Sequence, residues 1–256
     1  MTNSLFNLDG QVALVTGGNA GVGLAMAQGL AKAGASIAIW GRSEDKNAAA
    51  VATLRAQGAN AAAFACDVTD ASGTAEAFRA TVEHFGHIDS CFANAGGSGV
   101  RGPFHTLSAN DWQTTIDLNL ASVVTTFQLA IRHWLEREAP GKLIVTSSIA
   151  GLIGIPMASG YSTTKAAVQG LIRGLAIEYG RAGIQANAIL PGFIETEMSL
   201  NTPKHFQDAC RRRAASGEIG QLEDMEGIAV YLASRESRLM TGQCLILDGG
   251  HTIFPM

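Results

Sequence analysis

Residues 12–34 read VALVTGGNAGVGLAMAQGLAKAG. The first five residues form a short apolar, β-branched run of strand character, and 23–34 carries a helical pattern that stops at Gly34. Between them, TGGNAGVG (16–23) places glycines at positions 17, 21 and 23. Glycine lets the chain turn sharply and lets a ligand approach with no side chain in the way. The helix that follows opens with free N–H groups and a partial positive charge, a seat for a pyrophosphate. Glycine-rich turns between a strand and a helix also serve packing alone. Position after the first strand of an α/β chain favours the ligand-binding role.

The rest of the chain supports that setting. SIAIW (36–40), AAAFA (61–65), IDSCFA (88–93), KLIVTS (142–147), IQANAIL (184–190) and QCLIL (243–247) bring the candidate strands to seven. They alternate with longer helical patterns, beginning with the alanine-rich segment 44–57. Continuous apolar strands separated by helices indicate a parallel sheet covered on both faces. No repeat, linker or composition shift divides the chain. The expected fold is therefore one Rossmann-type, doubly wound α/β domain over residues 1–256. Such sheets bind ligands at the carboxyl ends of their strands.

Composition excludes several roles. Eighteen basic and 22 acidic residues leave a net charge of −4, with no basic patch to suggest nucleic-acid binding. The start, MTNSLFNLDGQ, has neither the basic-then-apolar pattern of a signal peptide nor an Arg-rich transit pattern. The long uncharged stretch from Leu143 to Thr164 is broken by Ser, Gly, Thr and Pro156, and reads as strand, loop and helix start instead of a membrane span. Cys66, Cys91, Cys210 and Cys244 form no CxxC and read as small buried residues in a reducing cytoplasm. The six histidines are dispersed, and no metal site is expected.

The second strand ends in Trp40-Gly41-Arg42-Ser43. Many dinucleotide folds place an acid there for the ribose 2′-hydroxyl. Its absence, with a guanidinium in its place, points to a 2′-phosphate held by Arg42 and Ser43 and so to NADP(H). A solvated arginine ahead of a helix is the plain alternative.

GYSTTK (160–165) puts Tyr161 and Lys165 four residues apart, on one helix face. Ser148 ends the strand KLIVTSS, and Asn119 is a polar residue inside an amphipathic helical run. Taken singly, these are a surface pair, a loop hydroxyl and a capping amide. Together they carry a resemblance. The chain resembles the short-chain dehydrogenase/reductase family in its compact single-domain form, over roughly residues 7–250. The family's TGxxxGxG is matched by Thr16 to Gly23, its acid-plus-apolar pair on the adenine side by Asp67-Val68, and its NAG by Asn94-Ala95-Gly96. Its Asn–Ser–Tyr–Lys set falls on Asn119, Ser148, Tyr161 and Lys165, and its Pro-Gly turn on Pro191-Gly192. The closing TGQCLILDGG (241–250) resembles its last strand.

The resemblance implies further cofactor contacts from Gly17, Asn19, Gly21, Val22, Gly23, Ile194 and Thr196, with Tyr161 and Lys165 touching the nicotinamide half. It implies reduction of a ketone or oxidation of a secondary alcohol. A phenol ordinarily titrates near ~10, and a neighbouring ammonium favours its ionised form. Lys165 is thus expected to make Tyr161 a usable general acid and base, while also reaching the cofactor ribose. Ser148 is expected to hold the substrate oxygen, and Asn119 a water that passes protons towards Lys165. Asn19 departs from the basic residue that some NADP-preferring relatives carry, so NAD(H) stays open. A non-catalytic dinucleotide-binding module is the alternative class, although Ser, Tyr and Lys are all present.

The segment 193–220 is expected to cover the substrate, which could be a 3-oxoacyl thioester, a sugar or polyol, or a simple or cyclic ketone. Arg101 and the run Arg211 to Arg213 read as solvated surface, with a substrate carboxylate as the other possibility for Arg101 and an acidic carrier or a phosphorylated substrate for the run. The resemblance also implies a homotetramer. The patterned helices around Asn119 and after Tyr161, and the apolar end HTIFPM, are compatible with it.

Overall fold

The computed structural model describes residues 5–253. All seven strands join one parallel sheet in the order β3-β2-β1-β4-β5-β6-β7. They are β1 Val12–Thr16, β2 Ser36–Gly41, β3 Ala61–Ala65, β4 Ser90–Ala93, β5 Gly141–Thr146, β6 Ile184–Pro191 and β7 Cys244–Leu247. Strand order reverses between β1 and β4, which places a crevice at their carboxyl ends.

Alternation along each strand builds two cores. Leu14, Ala38 and Trp40 point into one layer, and Ala13, Val15, Ile37 and Ile39 into the other. The first layer is closed by α3 (Ala71–Phe85), α5 (Ser122–Glu136) and α6 (Ser159–Tyr179), and the second by α1 (Gly21–Lys32), α2 (Glu44–Ala56) and α9 (Asp224–Ala233). α4 (Ala109–Ile116) leads into α5, while α7 (Glu197–Leu200) and α8 (Lys204–Arg213) lie between β6 and α9.

The sequence expectation for β4 began at Ile88, but the strand starts at Ser90. The carbonyl of Ile88 accepts the Trp134 indole N–H at 2.6 Å. α1 begins at Gly21, two residues earlier than the apolar pattern indicates, because glycine and valine continue the turn directly into the helix. The helical run around Asn119 is not uniform. A π-type turn over Asp117–Ala121 separates α4 from α5. That wider turn carries Asn119 inward, where it is buried. The long uncharged stretch resolves into β5, a short 3₁₀ turn at Ile149–Gly151 and the start of α6. Of the apolar end, Phe254 to Met256 lie outside the described residues.

Candidate active site

The glycine turn lies where β1 runs into α1. Gly17 has φ +62° and Gly21 φ +52°, both left-handed. A Cβ at Gly17 would sit 3.1 Å from the Ala95 Cα, and one at Gly23 would collide with the Gly17 carbonyl and the Asn94 amide. The turn is therefore closed against Asn94-Ala95, just after β4. Thr16 Oγ accepts the backbone N–H groups of Asn94 (3.0 Å) and Ala95 (2.9 Å), and the Asn94 amide donates to the Thr16 carbonyl at 3.1 Å. No side chain caps the α1 N-terminus. These features suit a pyrophosphate: backbone donors at a helix start, with no Cβ over them. Above Gly21 the nearest side-chain atom is the Thr196 methyl, at 3.9 Å from where a Cβ would stand.

Asn19 contributes differently. Its amide donates to Asn47 Oδ1 at 2.7 Å, and Asn47 donates to the Gly41 carbonyl at 2.9 Å, tying the turn to the end of β2. Val22 packs on the core beneath the turn, and Val68, three residues after β3, is buried in the same cluster as Cys66. At the end of β2, Trp40 is fully buried with its indole donating to Thr81 Oγ at 2.9 Å. Arg42 is exposed, its guanidinium 3.9 Å from Asp67. Two hydrogen bonds from Thr69 hold the Asp67 carboxyl below its ordinary range, with Arg42 adding to them. Ser43 caps α2, accepting from the Lys46 N–H at 3.4 Å, and keeps its own proton to donate. Glu44 and Asp45 follow in the first turn of α2 and oppose an added anion.

Ser148, Tyr161 and Lys165 converge at the end of β5. Ser148 is extended, opens the 3₁₀ turn, and accepts from the Ala150 N–H at 3.1 Å. Its hydroxyl favours ionisation of the Tyr161 phenol, against the effect of burial. Lys165 is buried on the same face of α6. Its Nζ donates to the Thr146 carbonyl at 2.8 Å and lies 5.7 Å from the centre of the Tyr161 ring. A Cβ on Gly96 would come within 3.5 Å of that Nζ and 2.8 Å of Asn119 Oδ1, so Gly96 keeps this floor open. Asn119 grips Gly97 in both directions, its Oδ1 accepting the N–H and its Nδ2 donating to the carbonyl, each at 3.0 Å.

The expected electrostatics need correction. Tyr161 is not pulled below the ordinary phenol value. Burial pushes it up, while the Ser148 hydroxyl and the Arg101 guanidinium act against that. Lys165 is itself pushed down to about 8 by burial. Desolvation of the buried phenol is the largest influence on Tyr161. Arg101, read from sequence as plain surface, is exposed, and its charge favours ionisation of Tyr161.

The turn after β6 completes the rim. Gly192 donates to the Leu247 carbonyl at 2.8 Å, and a Cβ there would stand 2.8 Å from the Asp248 Cα. Ile194 is buried and pairs with Gly220, and the Gly220 N–H donates to the Phe193 carbonyl at 3.0 Å. The segment carrying α7 and α8 is thus clasped at its base. Thr196 caps α7, accepting from the Ser199 N–H at 3.1 Å with its own proton still available. Arg211 is engaged by Asp208 at 3.6 Å and Glu218 at 3.9 Å. Cys66, Cys91 and Cys210 are buried, Cys244 is half-buried, and all four are free thiols.

Several supports had no signal in the sequence. Ser147 Oγ donates to the Lys165 carbonyl at 2.8 Å, and the Gln169 amide donates to Ser147 Oγ at 3.2 Å and to the Ser148 carbonyl at 3.4 Å. These bonds clamp the serine loop to α6. Ser147, Gln169, Thr146 and Asn47 reach the site through tertiary contacts, and no spacing rule marks them.

Fold and crevice together define a class: a Rossmann-type α/β domain with the glycine turn, Ser148, Tyr161 and Lys165 gathered at the carboxyl edge of one parallel sheet. A family model described as enoyl-(acyl carrier protein) reductase matches residues 17–252. The gluconate 5-dehydrogenase of Gluconobacter oxydans (strain 621H) is 36% identical over 97% of each chain. The 3beta-hydroxysteroid dehydrogenase 1 of Eggerthella lenta is 34% identical, over 97% of this chain and 96% of its own. Among solved structures, a gluconate 5-dehydrogenase from Burkholderia cenocepacia J2315 in complex with NADP and tartrate superposes with a TM-score of 0.92, at 36% identity and 98% coverage of both chains. The chain belongs to the short-chain dehydrogenase/reductase family, and is an NAD(P)-dependent enzyme acting on CH–OH groups.

Proposed function

We propose that this enzyme interconverts a ketone and a secondary alcohol with NADP(H), using Tyr161 as general acid and base. The observation that carries the proposal is the convergence at the carboxyl end of β5 of Ser148, Tyr161 and buried Lys165, whose Nζ is tied to the Thr146 carbonyl and lies 5.7 Å from the centre of the Tyr161 ring. Gly17, Gly21 and Gly23 would hold the pyrophosphate, Asp67 and Val68 the adenine side, and Asn94 to Gly96 with Pro191, Gly192, Ile194 and Thr196 the walls towards the nicotinamide. Bound there, the cofactor supplies or accepts the hydride.

The protein's own work is with the proton and the position. Ser148 donates to the substrate oxygen and fixes it against the phenol. Tyr161, kept protonated by burial, gives its proton as the oxygen gains charge, and recovers it in the oxidative direction. Lys165 holds the ribose and, with Asn119, the proton path. The Phe193–Gly220 segment covers the substrate, and residues 1–256 act as one catalytic domain.

NADP(H) preference rests on Arg42, which is exposed and only loosely paired with Asp67. NADP is also the cofactor named for the Burkholderia structure. Use of NAD(H) is the second reading, favoured by the acidic start of α2. The substrate is a 3-oxoacyl, sugar or polyol, or simple ketone compound, and the two curated relatives by name span a sugar acid and a steroid. A screen of these ketone classes with NADPH and NADH tests the proposal. Failure of every ketone to oxidise either cofactor would leave only a dinucleotide-binding module.

The assembly is proposed as a homotetramer in the cytoplasm. An apolar outer groove between α5 and α6, lined by Ile131, Leu135, Leu171 and Leu175, supports burial against a second copy. Four free cysteines support a reducing compartment. Among the described residues no helix is long and apolar enough to cross a membrane. A solution mass of one 26.6 kDa chain at micromolar protein would contradict the tetramer.

A further inference from the structure

The loop after β4 is held at several points. Gly97 is gripped by Asn119. Gly99 has φ +63°, and a Cβ there would collide with the Thr115 side chain. The Val100 N–H donates to Thr115 Oγ at 3.2 Å, and the Gly102 N–H donates to the Met157 carbonyl at 3.0 Å. Arg101 lies between those two tied residues. Both ties lead to Tyr161. Thr115 is buried, and its methyl would be 3.4 Å from a Cβ on Gly160, the residue before Tyr161. Met157 lies four residues ahead of Tyr161, in the turn that starts α6. The backbone of Arg101 is therefore fixed relative to the phenol, while its side chain is exposed.

Arg42 has Asp67, and Arg211 has Asp208 and Glu218. Among the described residues no carboxylate pairs with Arg101, and its charge favours ionisation of Tyr161. An uncompensated guanidinium on a loop tied to the start of α6, the helix that carries Tyr161, offers a planar fork for a carboxylate.

We propose that Arg101 is a specificity-determining residue that receives the carboxylate of the substrate, so that the preferred substrate is a hydroxy acid or oxo acid. This rests on the ketone–alcohol reading above. A charge-assisted pair of this kind corresponds to roughly a tenfold or larger preference.

The test compares oxo acids with their neutral carboxamides: levulinate with levulinamide, 5-oxohexanoate with its amide, and 4-oxocyclohexanecarboxylate with its amide, each with NADPH and with NADH. The spacing that fits is expected to favour the acid by about tenfold or more in kcat/KM, mainly through KM. Arg101→Ala, and Arg101→Gln, which keeps the stem, should bring the acid-to-amide ratio towards one, and Arg101→Lys should keep part of it. A parent enzyme that reduces neutral ketones with no gain from a carboxylate overturns the assignment and leaves carbonyl reduction standing. A preference that survives in Arg101→Ala overturns it equally. No turnover of any ketone overturns both.

Discussion

Two lysines mark the two ends of β5. Lys142 lies at the start of the strand, and Lys165 reaches its end from α6. Burial pushes both down to about 8. Their surroundings differ. Lys142 donates all three protons, to Gln185 Oε1 at 2.8 Å, the Ser234 carbonyl at 2.7 Å and Ser237 Oγ at 2.7 Å. The Lys165 ammonium makes one hydrogen bond among the described residues, to the Thr146 carbonyl, and turns its remaining protons towards Tyr161 and the open floor at Gly96. A shifted pKa reports burial at both ends. Donors left uncommitted at the carboxyl edge are what separate a chemical role from a structural one.

The strongest way to break this contrast is Tyr161→Phe. It keeps the ring and removes the transferable proton. Ketone reduction should fall by at least ~10²–10⁴-fold in a folded protein that still binds cofactor. Activity within a few-fold of the parent would sink the catalytic reading.

Lys165→Met should lower turnover and cofactor affinity together, since the lysine serves both. Its effect on stability runs the other way. Folding depresses this pKa, so the charged form is penalised in the folded state. The penalty is fully present below about 8 and fades as pH rises towards the ordinary lysine value of 10.5. Near neutral pH the variant should therefore resist unfolding at least as well as the parent, with that advantage shrinking between those two values. Urea titrations at several pH values read this directly.

Lys142→Met tests the opposite end. Titration there has the same sign, but three acceptors would lose their donor, two of them on the buried serines Ser234 and Ser237. A cost of about 1–3 kcal/mol or more is expected from groups left unpaired. Turnover per folded molecule should stay near that of the parent. Lost cofactor affinity in this variant would erase the distinction between the two lysines.

Arg42→Ala should weaken NADPH by roughly tenfold, from the loss of about 1.5–3 kcal/mol, and leave NADH nearly unchanged. A parent that already prefers NADH would show that Asp67 and the acidic start of α2 win over the guanidinium. The smallest effect concerns the phenol. An ultraviolet difference titration of the cofactor-free parent against Tyr161→Phe should place Tyr161 above the ordinary phenol value. Arg101→Ala should move it higher, because a cation that favours the phenolate is gone. A value below the ordinary one would mean that Lys165 dominates after all.

Periodicity and turn chemistry determined much by themselves. Seven apolar runs and the Gly17–Gly21–Gly23 turn specify a doubly wound sheet, because strand burial and left-handed turns leave local signatures. Tyr161 and Lys165 are legible together because a helix converts a spacing of four into one face. Tertiary structure alone decided what surrounds them. Asn119 turns inward through a π-type turn that helical spacing does not announce. Ser147 and Gln169 clamp the serine loop, and Thr115 ties the Arg101 loop to α6, across separations no local pattern records. The sign of the Tyr161 shift also belongs to this level. Sequence supplies the ammonium one turn away, but desolvation depends on every atom packed around the phenol, and that sum exists only in the folded protein.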